Sequence, residues 1–357
     1  MGSVVHRKAG KGLVAGVSLA LALTALTSAA AAAQDEWPID GSDHQIGFVI
    51  HVQIPFTAQI VDGAEVAAEE SGVNMTVAGP TAFDPPQQVQ IFEEVVLAGA
   101  EGVATVPFPE DTWQGPIERS TVPVLSFNVA APAVTDIPVY VGEDSLDMGA
   151  RVAQFLVDTI GADATGEVVV GNCGPGFLPL ELRAQGIADR LADVAPGLTV
   201  LGPFETSSEP AANYAAWENL AIANPDAVAF MGICAQDLPN LAKLKADTGA
   251  DYEILGVDLE PDALVAIKDG VALGTVGQSP YLQGYVPVRL LVQHLAGGAD
   301  LPQGWIPVPL ELVTAENVDA VIERESSLEK TIEYYQPLID EIFANLDDLR
   351  PISDVEG

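Results

Sequence analysis

From Asp43 onward, short apolar runs alternate with longer amphipathic stretches, in units of about 30 residues. Ile46-Gly47-Phe48-Val49-Ile50 is the first run, and the polar turn after it ends at Pro55-Phe56. Residues 57–71 then predict a helix, with Ile60, Ala64 and Ala67 on one face and Gly72 as its stop. Val73 to Val77 predicts the next strand, and Pro85-Pro86 opens a helix through Val89, Phe92, Val95 and Val96. Residues 102–106 and 122–127 continue the alternation. A second series follows at residues 167–171, 199–201, 227–231, 253–257 and 273–276. Each run is apolar throughout, the pattern of parallel strands covered on both faces. The predicted class is therefore α/β, as two consecutive doubly wound parallel-sheet units. Ligands in open sheets of this kind bind beyond the carboxyl ends of the strands, so the residues just after each strand are the functional candidates. Near the C-terminus, Leu328, Ile332, Tyr335, Ile339, Ile342 and Leu346 recur at helical spacing, interrupted by Pro337. That helix packs on a lobe, joins two copies or hangs loosely; the pattern leaves the three open.

The first 33 residues are of another kind. His6, Arg7, Lys8 and Lys11 precede an uncharged apolar run from Leu13 to Leu26, then Thr27-Ser28, five alanines and the acidic Asp35-Glu36. This predicts a secretory signal peptide over residues 1–33, cleaved after Ala33. Residues 12–34 are also just long enough to span a bilayer, so an uncleaved anchor is the alternative. No cysteine lies near the cleavage point to carry a lipid, and Arg7-Lys8 is not a twin-arginine pair. The expected location is a periplasm or cell-wall space.

Composition narrows the function. A length of 357 residues, 48% of them hydrophobic, allows about two domains with sizeable cores. Fifty-one acidic against 14 basic residues give a formal net charge of −37, which repels phosphate backbones and anionic membranes and excludes nucleic-acid binding. The leader holds Arg7, Lys8 and Lys11 and no acid, so the rest is more acidic still, as suits solubility in a salty exterior. Beyond the leader His44, His51 and His294 show no close metal-ligand spacing. No Gly-x-Ser-x-Gly elbow is present, and no Lys-Ser/Thr follows the glycines at 171–176. Neither a metal nor a cofactor is expected, and binding is favoured over catalysis.

Five segments at strand ends, in order, resemble the ribose- and galactose-type periplasmic binding proteins. They are the opening unit through Pro55-Phe56, then Val122 to Asn128, Leu182-Arg183-Ala184-Gln185-Gly186, Ile254 to Asp258 and Gly274 to Gln278. Pro225-Asp226-Ala227-Val228 also fits the approach to a central strand of the second half. The resemblance spans residues 45–313 and implies the type I periplasmic binding protein fold, two lobes joined by three crossings. The N-terminal lobe would hold residues 44–142 plus 279–312 and the C-terminal lobe 143–278, with 313–357 as a helical extension. Crossings are expected near Gly142-Glu143-Asp144, Gln278 and Leu312. LacI-type repressors share that fold but begin with a helix-turn-helix, where this chain has a leader.

The resemblance also implies a sugar site. Asp258 would accept from two hydroxyls, its alternative being a helix N-cap. Arg183 would donate across the cleft, its alternative being a surface ion pair. Asn128 and Gln278 are strand-end amides that could equally be holding loops. Phe56 would stack on the sugar ring or pack in the core. Gln53 lies in the same turn, and His51 at a strand end is a candidate contact or a structural histidine. The chain departs from the ribose pattern at three places. Asn128 replaces an aspartate, Thr57 replaces a second aromatic, and Ile233-Cys234 replaces an Asn-Asp pair. These losses argue for a differently substituted monosaccharide, a sugar alcohol or another polar solute. Phe177, after Gly174-Pro175-Gly176, would supply the missing aromatic wall; Trp113 is a further candidate, with packing as its other role. Cys173 and Cys234 follow strands that the usual 2-1-3 order makes neighbours, so a disulfide beside the cleft is expected in an oxidising compartment, with two free buried thiols as the alternative.

The implied function is a monomeric exported receptor that closes on a sugar or polyol and delivers it to an ABC permease. Exposed Glu65 and Glu69 would face the permease or simply solvent. A receptor for chemotaxis or two-component sensing is the alternative, and a secreted α/β enzyme the alternative from another class.

Overall fold

A computed structural model describes residues 37–130 and 135–356; the predicted leader and its cleavage point lie outside the described residues. The alternation in the sequence becomes strand–helix repeats: β1 (Gln45–Val49), α1 (Pro55–Ser71), β2 (Asn74–Ala78), α2 (Pro85–Leu97), β3 (Gly102–Thr105), α3 (Glu110–Arg119), β4 (Val124–Phe127) and β5 (Val139–Gly142). After one crossing come α4 (Ser145–Ile160), β6 (Gly166–Asn172), α5 (Leu178–Val194), β7 (Leu198–Glu205), α6 (Pro210–Ala223), β8 (Ala229–Gly232), α7 (Asp237–Thr248), β9 (Glu253–Val257), α8 (Pro261–Lys268) and β10 (Gly274–Gly277). The chain then returns through α9 (Pro280–Leu295) and β11 (Gly304–Pro307), crosses again into β12 (Glu311–Thr314), and ends with α10 (Val318–Arg324) and α11 (Leu328–Ala344). The first sheet has the order β11-β5-β4-β3-β1-β2 and is parallel throughout. The second runs β12-β10-β9-β8-β6-β7, parallel except for β12, which pairs antiparallel with β10.

Residues of β12 thus belong to the second sheet, and the third crossing runs through residues 308–310. Both faces of each sheet are covered, as the unbroken apolar strands require. On the first sheet α1 and α9 bury Ile60, Ala64, Tyr285 and Leu291 on one face, while Phe92, Trp113 and Ile117 fill the other. On the second, Met148, Leu156, Ile187 and Leu191 oppose Trp217, Leu238 and Ile267.

The tail is packed. Tyr335 stacks on Tyr281 at 5.2 Å, and Phe343 lies 3.7 Å beneath the Arg289 guanidinium. Pro337 sits inside α11 without ending it. Beyond the helix, Arg350 accepts a 2.7 Å hydrogen bond from the Trp305 N–H and covers the Trp305 ring, so the chain closes back on the edge of the first sheet.

Each lobe has one helix seam made close by glycine. In the first, a Cβ on Gly63 would lie 2.0 Å from the Tyr281 carbonyl oxygen, and one on Gly284 would lie 1.8 Å from that of Ile60. In the second, a Cβ on Gly149 would meet the Arg183 carbonyl at 2.0 Å, and one on Gly186 that of Leu146 at 2.1 Å. Backbone cannot step aside as a side-chain tip can, so a methyl group here pushes the helices apart. Gly284→Ala should lower the unfolding free energy by about 1–3 kcal/mol, read as an earlier midpoint in urea; an unchanged midpoint would show that the seam has slack.

Candidate functional site

The carboxyl ends of the two sheets face each other across a cleft, and polar residues that follow the strands are buried there. Asn128 directly follows β4 with φ of 62°, and Asp258 directly follows β9 with φ of 69°. Asparagine and aspartate tolerate this left-handed region better than other side chains that carry a Cβ, which suits them to a turn at a strand end. Both are almost wholly buried, as are Gln278 and Gln283. The four form a relay. Asn128 Nδ2 donates to Gln283 Oε1 at 3.1 Å, Gln283 Nε2 donates to the Gln278 carbonyl at 2.9 Å, and Gln278 Nε2 donates to Asp258 Oδ1 at 2.5 Å. The relay runs from the first sheet through the second crossing to the second sheet. Burial pushes the Asp258 carboxyl above the usual range, opposed by the Arg183 charge and the Gln278 hydrogen bond.

Arg183, on α5, is 4% exposed and Glu143, in the first crossing, is 0% exposed. Arg183 Nη2 donates to Glu143 Oε1 at 2.7 Å, Nη1 donates to the Ile233 carbonyl at 3.2 Å, and Ser145 Oγ donates to the same Glu143 oxygen at 2.7 Å. Arg183 Nε and Glu143 Oε2 are buried without a protein partner, and so is His51 Nδ1 across the cleft. Unpaired polar atoms inside a protein are costly, and three around one cleft mark a place where a polar ligand or water completes the bonding.

Rings that follow strands of both lobes form an aromatic wall. Phe177, at the head of α5, meets Phe108 edge-on at 4.9 Å, Phe83 at 5.9 Å and the His51 ring at 5.8 Å, nearly parallel. His51, Phe83 and Phe108 belong to the first lobe and Phe177 to the second, so the wall is assembled by contact of the two. Behind it Cys173 and Cys234 form a disulfide with Cα atoms 6.1 Å apart, tying the end of β6 to the end of β8. Asp237 fixes the same turn. Its carboxylate accepts from Asn213, Trp217 and Thr206 side chains and from the Cys234 N–H, while burial raises its pKa to about 6.

A family model described as the periplasmic binding protein domain matches residues 46–299. The chain belongs to the periplasmic binding protein family. Among its relatives, the D-allose-binding periplasmic protein of Escherichia coli is 25% identical over 263 residues, covering 70% of this chain and 83% of the relative. The ribose import binding protein of Salmonella typhimurium is 25% identical over 299 residues, covering 82% and 95%. The crystal structure of an ABC transporter solute-binding protein from Burkholderia graminis, in complex with D-arabinose, matches with a TM-score of 0.72 at 25% identity, over 78% of this chain and 97% of that one. The architecture expected from the sequence, two parallel-sheet α/β lobes of the type I periplasmic binding protein fold, is the one found.

In this periplasmic binding protein the expected site residues are distributed unevenly. Arg183, Asp258, Gln278, Asn128 and Phe177 gather at the cleft. Arg183 is a buried ion-pair partner, not a surface one, and Asp258 is no cap, since the N-cap of α8 is Glu260. Phe56 lies in the core of the first lobe, and Gln53 is exposed with its amide spent on the Gly79 carbonyl at 2.6 Å. Thr57, in the first turn of α1, accepts from the Ile54 N–H at 3.1 Å and donates to the Val52 carbonyl at 2.7 Å. Trp113 is fully buried against Phe92. Glu65 and Glu69 are exposed. Sequence reading passed over Glu143, Gln283, Phe83 and Phe108. Gln283 carried a signal, one of two amides amid the apolar residues of α9; Glu143 stood unremarked at an expected crossing. Among the described residues no group of His, Cys, Asp and Glu could hold a metal ion, and no helix is long and apolar enough to cross a membrane.

Two measurements test this geometry. Burial lowers the pKa of His51 from 6.5 to about 4, so the unfolded chain takes up its proton first as the pH falls. Stability from this residue is complete above pH 6.5 and is lost on the way down to pH 4, by about 3 kcal/mol. Urea titrations of the native protein and of His51→Leu should differ by that slope, and parallel pH profiles would refute it. The disulfide closes a loop with a sequence separation of 61, worth about 4 kcal/mol in chain entropy. Cys173→Ser/Cys234→Ser should lose stability on that scale, and alkylation of the unreduced, unfolded native chain should find no free thiol.

Proposed function

We propose that this periplasmic binding protein captures a monosaccharide or related polar solute by lobe closure and delivers it to an ABC importer. The observation that carries the reading is the buried cluster of Arg183, Glu143 and Asp258 at strand ends that also carry an aromatic wall built from both lobes. A sugar offers hydroxyl groups that donate and accept, together with an apolar ring face. The cluster supplies a guanidinium donor and carboxylate acceptors, and the wall supplies rings. The relatives named for allose and ribose, and the structure containing D-arabinose, support the same class of ligand. The protein acts by binding and without turnover, as a monomer exported by the predicted leader and released into the periplasm or wall space.

Binding works through differential affinity. Ligand held by both lobes favours the closed form over an open one by the contacts that only closure completes. The three crossings between the sheets are the segments about which that motion turns.

A thermal-shift screen against D-ribose, D-allose, D-arabinose, D-xylose, polyols, nucleosides and small acids tests the proposal. A saturable rise with one sugar or polyol is expected, equivalent to about 2.7 kcal/mol at a hundredfold excess over Kd. Asp258→Ala and Arg183→Ala should each abolish the shift while leaving the circular dichroism spectrum native. No stabilisation by any sugar or polyol would sink the function, and full binding by both variants would sink the site.

A further inference from the structure

We propose that Glu143 is a specificity-determining residue of this cleft. Its free carboxylate oxygen receives a hydroxyl of the ligand, so the receptor selects solutes that donate a hydrogen bond there and rejects solutes placing a carboxylate or phosphate at that point. The inference rests on the sugar-binding reading given above and adds the residue and the sign of the selection.

Glu143 is wholly shielded from solvent, and its two oxygens are used unequally. Oε1 takes both available protein donors, Arg183 Nη2 and Ser145 Oγ, each at 2.7 Å, while Oε2 has none. An ionised carboxylate only accepts, so whatever completes Oε2 must bring a proton. Arg183 is unfinished in the complementary way. Nη1 and Nη2 are committed to the Ile233 carbonyl and to Glu143, and buried Nε lacks an acceptor. One vacant acceptor and one vacant donor on a single ion pair match a hydroxyl pair, in which one group donates and another accepts. If neutralising Arg183 were the whole role of Glu143, one oxygen would suffice and the second would remain a buried cost.

Charge and position point the same way. Asp258 at the end of β9 feels the charges of both Arg183 and Glu143, so a second carboxyl group lies near the Arg183–Glu143 pair. An anionic solute meets a surplus of negative charge at short range, where water no longer screens it. Glu143 also lies between β5 and α4, in the first crossing between the sheets. A ligand hydroxyl on Oε2 is therefore bound to the hinge itself.

Titration calorimetry decides the matter, using whichever of D-ribose, D-allose, D-arabinose and D-xylose stabilises the native protein most. Its monodeoxy analogues and its aldonic acid are measured on native protein and on Glu143→Gln, whose amide keeps an oxygen for Arg183 and Ser145. Removing one particular hydroxyl should weaken native binding by roughly ten- to a hundredfold, the span of a charge-assisted hydrogen bond, and cost Glu143→Gln little further. The aldonic acid should bind the native protein at least tenfold more weakly than the parent sugar, and the variant should narrow that gap. Equal losses on native protein and variant at every position overturn the role of Glu143 and leave the sugar-binding function standing. No binding by any of the four sugars overturns both. Should Glu143→Gln fail to fold, the scan on native protein decides alone: a loss below about threefold at every position overturns the inference.

Discussion

A guanidinium and a carboxylate stripped of water, at the point where the chain first leaves one sheet for the other, set the terms for the rest of the cleft. Taking away either charge would leave its partner unpaired, a loss of about 3–5 kcal/mol. The neighbouring structure supplies what the Arg183–Glu143 pair needs. Gly149 lets α4 come down on the backbone of Arg183 itself, which fixes where α5 stands. The Ile233 carbonyl, which takes the second guanidinium nitrogen, is followed by Cys234, pinned by its disulfide and by Asp237. Ser145, which braces the carboxylate, is the first residue of α4. Helix seam, disulfide and buried aspartate all serve to hold one ion pair in one geometry.

The two lobes bring different chemistry to the cleft. The first contributes rings, from His51, Phe83 and Phe108, and the second contributes charge, from Arg183 and Asp258, with Phe177 reaching back to the rings. The scarcity of basic residues makes the inward placement of arginine informative. Besides Arg183, Arg289 and Arg324 are buried, the former over Phe343 and Trp37, the latter between Glu311, Glu325 and the Tyr334 ring. Surface acidity concerns the solvent; the interior uses arginine for its planar, multiply donating head.

Legibility in the sequence followed the reach of the signal. Asp258 and Gln278 could be located because each follows an apolar run whose end is visible. Arg183 was conspicuous as a rare base, yet its partner was not, since Glu143 is one acid among 51 and lies 40 residues away in sequence. Phe83 and Phe108 sit in proline-rich turns with no periodicity, so nothing local distinguishes them from loop residues. The strands β5 and β12 follow β4 and β11 with no helix between them, so the strand–helix alternation does not mark them. Phe56, placed by its strand-end turn, is buried in the first turn of α1, within the cluster against which Phe108 and Phe177 also pack.

The helix α9 belongs to the first lobe but is made after nearly all of the second. Its residues Tyr281, Tyr285 and Leu291 are part of the first core, and the bond from Tyr285 to Glu70 spans 215 residues. Contacts so distant along the chain carry a closure entropy that local pairings avoid, and they form late. A chain growing from its N-terminus therefore exposes an incomplete first core, with one face of its sheet covered by α1 alone, until α9 has emerged. The second sheet, by contrast, has its parallel strands in hand once Gly277 is made. The half that comes first in the sequence is the last to be finished.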